Sequence, residues 1–270
     1  MRCVAIAIPL FLLSFYGSGA MAGIVVSSTQ TRLSTNQSVP VTAYIEPDRF
    51  KLVLPEMTVI FRADLNRLWA ADMQRQVYYE LTPETMRQFG GVAAQLSAAE
   101  TQLHDTLSQL PPDQRAQIES LLGGFGAPLP RAATAPAKPV FARLGGGMTV
   151  AGLSCDLYRK SLNGEQQADF CISPASAAGF DPDDFRVFDR FSEFAAPLMS
   201  SHLVPHLDDM DWGGMNRALG FSGIPLDVVA YEHGKPDIRQ TVTKLERASI
   251  PPAAFELPPG LTKQDLLAFH

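Results

Sequence analysis

Ala151–Cys171 reads AGLSCDLYRKSLNGEQQADFC. Two runs suited to a pleated surface, Leu153–Lys160 and Gln166–Ile172, flank Leu162-Asn163-Gly164. A three-residue hairpin loop ending in a left-handed glycine closes two strands when Ser161 faces Glu165. That register sets Cys155 directly opposite Cys171, because both pairs are centred on Asn163. Directly opposed Cα atoms lie about 4.5 or 5.5 Å apart, and either spacing is within disulfide reach. Loop chemistry and cysteine placement therefore predict the same antiparallel hairpin.

The compartment follows from the other end of the chain. Arg2 supplies a positive start, and Val4–Tyr16 is an apolar run too short to span a bilayer. Gly17-Ser18-Gly19 then leads into Ala20-Met21-Ala22, an A-x-A cleavage pattern before Gly23. Residues 1–22 are read as an export signal, with an N-terminal membrane anchor as the alternative. Cys3 precedes the apolar run, so it is not the lipidated first residue of a mature lipoprotein. Residues 23–270 are expected to form one α+β domain with no stable membrane insertion once the signal is removed. Of the 3 cysteines, Cys155 and Cys171 then remain. An oxidising compartment favours their disulfide, with free thiols as the alternative. Closing a loop of about sixteen residues is worth roughly 3 kcal/mol in the chain-entropy model. Zinc would need further ligands, and the sequence has no CxxC to supply them.

Hydrophobic residues make up 46% and charged residues 19%, the balance of a chain that folds around a core. The formal charge of −6 becomes −7 without Arg2, and no Lys/Arg stripe interrupts it. Such a surface repels phosphate backbones, which excludes nucleic acid as a partner class.

A meander precedes the cysteine hairpin. Strands are predicted over Ile24–Leu33, Val41–Ile45, Phe50–Leu54, Met57–Phe61, Arg67–Ala71 and Gln76–Leu81, separated by Asn-, Asp- and Pro-rich turns. At Thr82 the period changes. Thr82 as N-cap and Pro83 at N1 open a helical segment over 83–122, interrupted at Pro111-Pro112. Its apolar stripe includes Phe89, Leu96 and Leu103, and it is read as a helix packed on its own sheet. Residues 123–139 form a Pro/Ala-rich linker. Strand signals resume at Val140–Leu144, with Gly145-Gly146-Gly147 read as a turn before Met148–Val150. Asp181-Pro182-Asp183-Asp184 opens a second helix over 181–202, with acids placed at the favourable end of the dipole. Phe185, Phe188, Phe191 and Phe194 follow at three-residue steps and spread over about half of its circumference. That spread is broader than one sheet contact requires. The four rings, with Phe89 and Leu96, are expected to line a site for an apolar ligand. Leu207–Leu219 reads as irregular and polar. Strands at Leu226–Glu232 and Asp237–Leu245 follow, with a short helix after Thr262.

The order of parts resembles the exported domain-of-unknown-function family 4412, whose fold is similar to the LolA/LolB lipoprotein carriers. Four features carry the resemblance. They are Val77-Tyr78-Tyr79-Glu80-Leu81 before a long helix; Leu110-Pro111-Pro112-Asp113-Gln114-Arg115 before a Gly/Pro/Ala linker; Val150-Ala151-Gly152-Leu153-Ser154-Cys155 answered by Phe170-Cys171-Ile172; and Phe255-Glu256-Leu257-Pro258-Pro259-Gly260. The resemblance implies a curved, incompletely closed antiparallel β-sheet, a half-barrel with helices covering its concave face. It implies a periplasmic carrier whose cavity accepts acyl chains, and it implies no activity.

Catalytic signatures are missing. Gly220-Phe221-Ser222-Gly223 lacks the G-x-S-x-G spacing. His202-Leu203-Val204-Pro205-His206 places two histidines four apart, but Pro205 disrupts the helix that would align them, so no metal site is expected. The expected function is non-enzymatic, without cofactor: an exported binding or carrier protein for a lipid or lipoprotein acyl chain. An envelope interaction or assembly-support module with a protein partner is the alternative.

Overall fold

A computed structural model describes residues 22–88, 139–199, 211–232 and 234–265, with single positions between 91 and 114. Its core architecture is one open, curved sheet of 12 strands. The first meander comprises β1 (Ala22–Arg32), β2 (Gln37–Glu46), β3 (Arg49–Val53), β4 (Met57–Arg62), β5 (Arg67–Asp72) and β6 (Val77–Leu81). The second comprises β7 (Val140–Val150), β8 (Leu153–Leu162), β9 (Glu165–Pro174), β10 (Gly223–Glu232) and β11 (Lys235–Ser249), and a short β12 (Thr262–Gln264) follows. β1 pairs with β11 and joins the two meanders, giving the order β12-β6-β5-β4-β3-β2-β1-β11-β10-β9-β8-β7. All pairings are antiparallel except that of β12, which lies parallel to β6.

Three local expectations need correction. The hairpin loop has two residues, not three: Asn163 (φ 53) and Gly164 (φ 82) are both left-handed, and Leu162 pairs with Glu165. This is the type I′ geometry that Asn-Gly favours. A bulge beyond Ser161 shifts the register again, so Leu157 rather than Cys155 faces Cys171. The two one-residue shifts preserve parity, keeping both cysteines on one face as diagonal neighbours. They form the disulfide with Cα atoms 5.4 Å apart. Secondly, Gly145-Gly146-Gly147 is no turn but a doubly bulged part of the continuous strand β7. A Cβ on Gly146 would lie 2.3 Å from Asp156 Oδ1, so glycine lets that carboxylate cross the bulge. Thirdly, Thr262–Gln264 forms β12, whose backbone pairs with β6 where a helix start is expected; residues 266–270 lie outside the described residues.

The segment expected to be irregular contains a helix at Trp212–Leu219. Asp211 caps it, accepting from the Gly214 N–H at 2.8 Å, and left-handed Gly220 ends it. The helix over Arg186–Met199 follows a 3-10 turn at Pro182–Phe185, with the expected Asp181 cap and a reciprocal bond from the Asp181 N–H to Asp184. Residues 83–88 are helical and bury Met86; Phe89, Leu96, Leu103 and the segment 115–138 lie outside the described residues.

The Arg186–Met199 helix rests on β3 and β4. Phe188 and Phe191 meet Phe50, each with ring centroids 5.4 Å apart, and Phe191 and Phe194 meet Phe61 at 5.4 and 5.3 Å. Ile60, next to Phe61, points the other way and packs with Trp69, Ile250 and Phe255. The chain after β11 thus covers the reverse side of the first meander, and Arg49 lies 4.7 Å from the Phe255 ring centroid.

Candidate functional site

Strand alternation places Val26, Ser28 and Gln30 of β1 on one face of the sheet. Register puts their neighbours beside them: Ala43 opposes Val26, and Val41 opposes Ser28, on β2. Leu52 opposes Ala43 and Phe50 opposes Ile45 on β3. On the other flank Val242 and Gln240 of β11 oppose Ser28 and Gln30, and Val228 of β10 opposes Gln240. These side chains line a cavity of about 240 Å³, roofed by Phe188 and Trp212. Reading outward, its rows run from Phe50 and Ile45, through Leu52, Ala43 and Val26, to Val41, Ser28 and Val242, then to Gln30 and Gln240. Polar side chains therefore enter from the Ser28 row outward, interleaved with Val228, Ala230 and Ile238.

The roof depends on a close helix contact. A Cβ on Gly213 would lie 2.6 Å from the Phe188 carbonyl oxygen and 2.8 Å from Asp189 Cα. Glycine lets the two helices meet there and brings the Trp212 and Phe188 ring centroids to 4.4 Å. Arg217 spans the same contact, donating to Asp189 Oδ1 at 3.4 Å and to the Ser192 hydroxyl. Asn216 accepts from the Gly223 N–H at 2.9 Å and ties the short helix to the start of β10.

The uncharged polar groups of the mouth are amides and hydroxyls, set beside Val228, Ala230 and Ile238. Gln240 donates to Ser28 Oγ at 3.2 Å, and the Ser28 hydroxyl donates to the Val41 carbonyl at 3.4 Å. Tyr231 donates to Asp169 Oδ2 at 3.1 Å. Burial, and then the Asp169 charge, hold the Tyr231 phenol above its ordinary value of 10.0, so it stays protonated. Asp237 is the charged residue among the described lining, and Arg32 stands 3.5 Å from it.

Of the six residues expected to line an apolar site, Phe188 alone is described on this cavity. Phe185 is buried against Phe180, and Phe191 against Phe50 and Phe61, so both rings are spent on the core. Phe194 touches Phe61 and borders a second depression of about 450 Å³ with Met86 and Arg190. That depression is more open and more polar, which suits solvent better than an apolar guest. Phe89 and Leu96 fall outside the described residues, as do His202 and His206. Among the described residues no group of three or more His, Cys, Asp or Glu could hold a metal, and no helix is long and apolar enough to cross a membrane. The strand residues Val26, Ala43, Leu52 and Val242 escaped sequence reasoning. The alternation Ile24-Val26-Ser28-Gln30 was the available signal.

No family model matches the chain, and no curated protein does; the resemblance to family 4412 rests on its four motifs. Solved structures align over most of the chain at low similarity. An uncharacterized conserved protein from Thermus thermophilus is 8% identical, with 90% of this chain and 89% of that one covered and a TM-score of 0.42. The MucA/MucB complex of Pseudomonas aeruginosa gives 10% identity, 90% and 58% coverage and a TM-score of 0.38. PNGF-II gives 8% identity, 92% and 32% coverage and a TM-score of 0.40. The chain thus spans little more than half of the second and about a third of the third. All three scores are too low to assign a family or a function.

Proposed function

We propose that this is a non-enzymatic binding or carrier protein of the bacterial periplasm, which takes an apolar chain such as a lipid or lipoprotein acyl chain. The observation that carries the reading is the roofed apolar cavity between β3 and β10, closed at one end by Phe188 and Trp212 and carrying its polar groups towards the other. A site of that form buries a hydrocarbon tail and leaves its head at the rim. Each buried methylene yields about 0.8 kcal/mol, so about ten to twelve offer roughly 8–10 kcal/mol against the cost of association. The open sheet then serves as a half-barrel with helices over its concave face, the arrangement the LolA/LolB resemblance implies. The reading calls for no cofactor or metal.

Titration with a neutral alkyl-chain fluorophore tests it. Wild type is expected to bind saturably, one to one, and Ala43→Phe to weaken binding by about tenfold or more by filling the floor between Val26 and Leu52. Thermal unfolding and the Cys155–Cys171 bond report whether the variant is folded. A folded wild type that binds no probe at any chain length removes the proposal.

A second reading, an envelope interaction module, draws on the outer edge of the sheet. Among the described residues β7 pairs with β8 alone, and Val140 (63%), Leu144 (46%) and Met148 (39%) are exposed along it. A partner strand added there would bury them. Loss of a co-purifying envelope protein in Leu144→Lys, with fluorophore binding intact, favours this reading.

A further inference from the structure

The mouth of the cavity restricts the head of its occupant. Among the described lining residues there is no Lys, Arg or His, and Asp237 is the charged one. The cation nearest in register is Arg32, one position outward on the same face as Gln30, and its guanidinium is already held by Asp237. A carboxylate or phosphate head entering here meets no free cation among the described lining and lies beside an aspartate. It must share Arg32 with Asp237, whose negative charge opposes it, or remain unpaired, and an unpaired desolvated charge is costly. A quaternary ammonium fares no better. Asp237 is neutralised by Arg32, and the Trp212 and Phe188 rings lie at the opposite, apolar end, where Phe188 stacks on Phe50. The polar groups left at this end are uncharged: the Gln30 amide, the Gln240 amide beyond its bond to Ser28, and the Tyr231 oxygen, which accepts because its proton goes to Asp169. Between them they donate to and accept from hydroxyls and ester carbonyls.

Resting on the apolar-ligand reading above, we infer that the occupant is a neutral amphiphile, an acyl chain esterified to an uncharged, hydroxyl-bearing head. Free fatty acids, phospholipids and cationic amphiphiles are discriminated against at the rim. The apolar floor sets affinity, and the amide-lined mouth sets the head-group class.

Displacement of the neutral alkyl fluorophore at neutral pH tests this with three competitors of equal chain length: a monoacylglycerol, the fatty acid and an alkyltrimethylammonium. The monoacylglycerol is expected to displace the probe about tenfold or more tightly than either charged competitor. Arg32→Gln should leave the monoacylglycerol unchanged, because the neutral head does not use the guanidinium. Gln240→Lys should narrow or reverse the preference by giving the fatty acid its missing cation. Probe binding itself shows that both variants keep the cavity. A fatty acid that binds wild type as tightly as the monoacylglycerol, and loses affinity in Arg32→Gln, overturns the inference in favour of an anionic ligand while leaving the apolar-ligand reading intact. Equal or tighter displacement by the ammonium overturns it likewise. A folded wild type that takes up neither the probe nor any competitor removes both.

Discussion

Phe191→Ala is the perturbation that most sharply tests how the helix is seated on the sheet. Phe191 is 1% exposed and sits between two sheet rings, edge-on to Phe50 (80°) and to Phe61 (74°). Deleting a buried Phe side chain costs about 3–5 kcal/mol through lost transfer free energy and the cavity left behind. Two edge-to-face contacts place this site in the upper half of that range. Phe194, one helical step on, is only part-buried and touches one sheet ring, Phe61. Its truncation should cost about 1–2 kcal/mol, in proportion to the smaller area removed from water. Urea unfolding of both variants, followed by circular dichroism, reads the difference as a shift of midpoint at constant slope. A domain of ordinary stability survives either change, so the comparison can be made between folded proteins. The double variant with Phe61→Leu adds a coupling: Phe191 and Phe61 should be non-additive by about 0.5–1.5 kcal/mol. A Phe191→Ala cost below about 1 kcal/mol, or one equal to that of Phe194→Ala, means that the helix does not rest on Phe50 and Phe61. The roof of the cavity would fall with it.

Replacing both Cys155 and Cys171 by Ala should lower stability by about 3 kcal/mol, read as the difference in unfolding free energy from the oxidised wild type. An unchanged midpoint refutes the constraint. Gly213→Val drives a side chain into the Phe188 carbonyl and should weaken fluorophore binding more than Arg217→Ala does, since the first separates Trp212 from Phe188 and the second removes an exposed ion pair and one hydrogen bond to Ser192 without displacing backbone. The hydrogen bond from Lys263, helped by the charge of Arg67, holds the Glu80 carboxyl below its ordinary value of 4.5. Its contribution to β12 docking is therefore complete above that value and is lost as pH falls through the lower folded value. Hydrogen exchange at Thr262–Gln264, corrected for intrinsic rates, should rise across that window in wild type and show no such step in Glu80→Gln.

Most of the strands are legible in the sequence because their signals are local. Asn163-Gly164, the Asp/Asn turns and the β-branched runs each act within a few residues, and the disulfide follows from parity, which two one-residue shifts in the same sense leave intact. The cavity is not legible. Its floor exists because Ser28 lies beside Val242, and no periodicity within β1 or β11 encodes a pairing between segments so far apart in the chain. The spread of Phe185 to Phe194 around the helix does exceed one flat contact. What the pattern cannot show is that Phe50 and Phe61 take up Phe191, leaving Phe188 to form the roof. The Trp212–Leu219 helix is hidden by Gly213 and Gly214, poor helix formers in isolation. There the helix-to-helix approach, not propensity, decides the residue.

Photo-crosslinking with a neutral alkyl diazirine, followed by peptide mapping of the adducts, tests most directly that the cavity under Phe188 and Trp212 is the binding site. The expected adducts fall on Val26, Val41, Leu52 and Val242, and are competed away by an unlabelled neutral amphiphile. Adducts confined to Val140, Leu144 and Met148 on the β7 edge, or scattered without competition, contradict it.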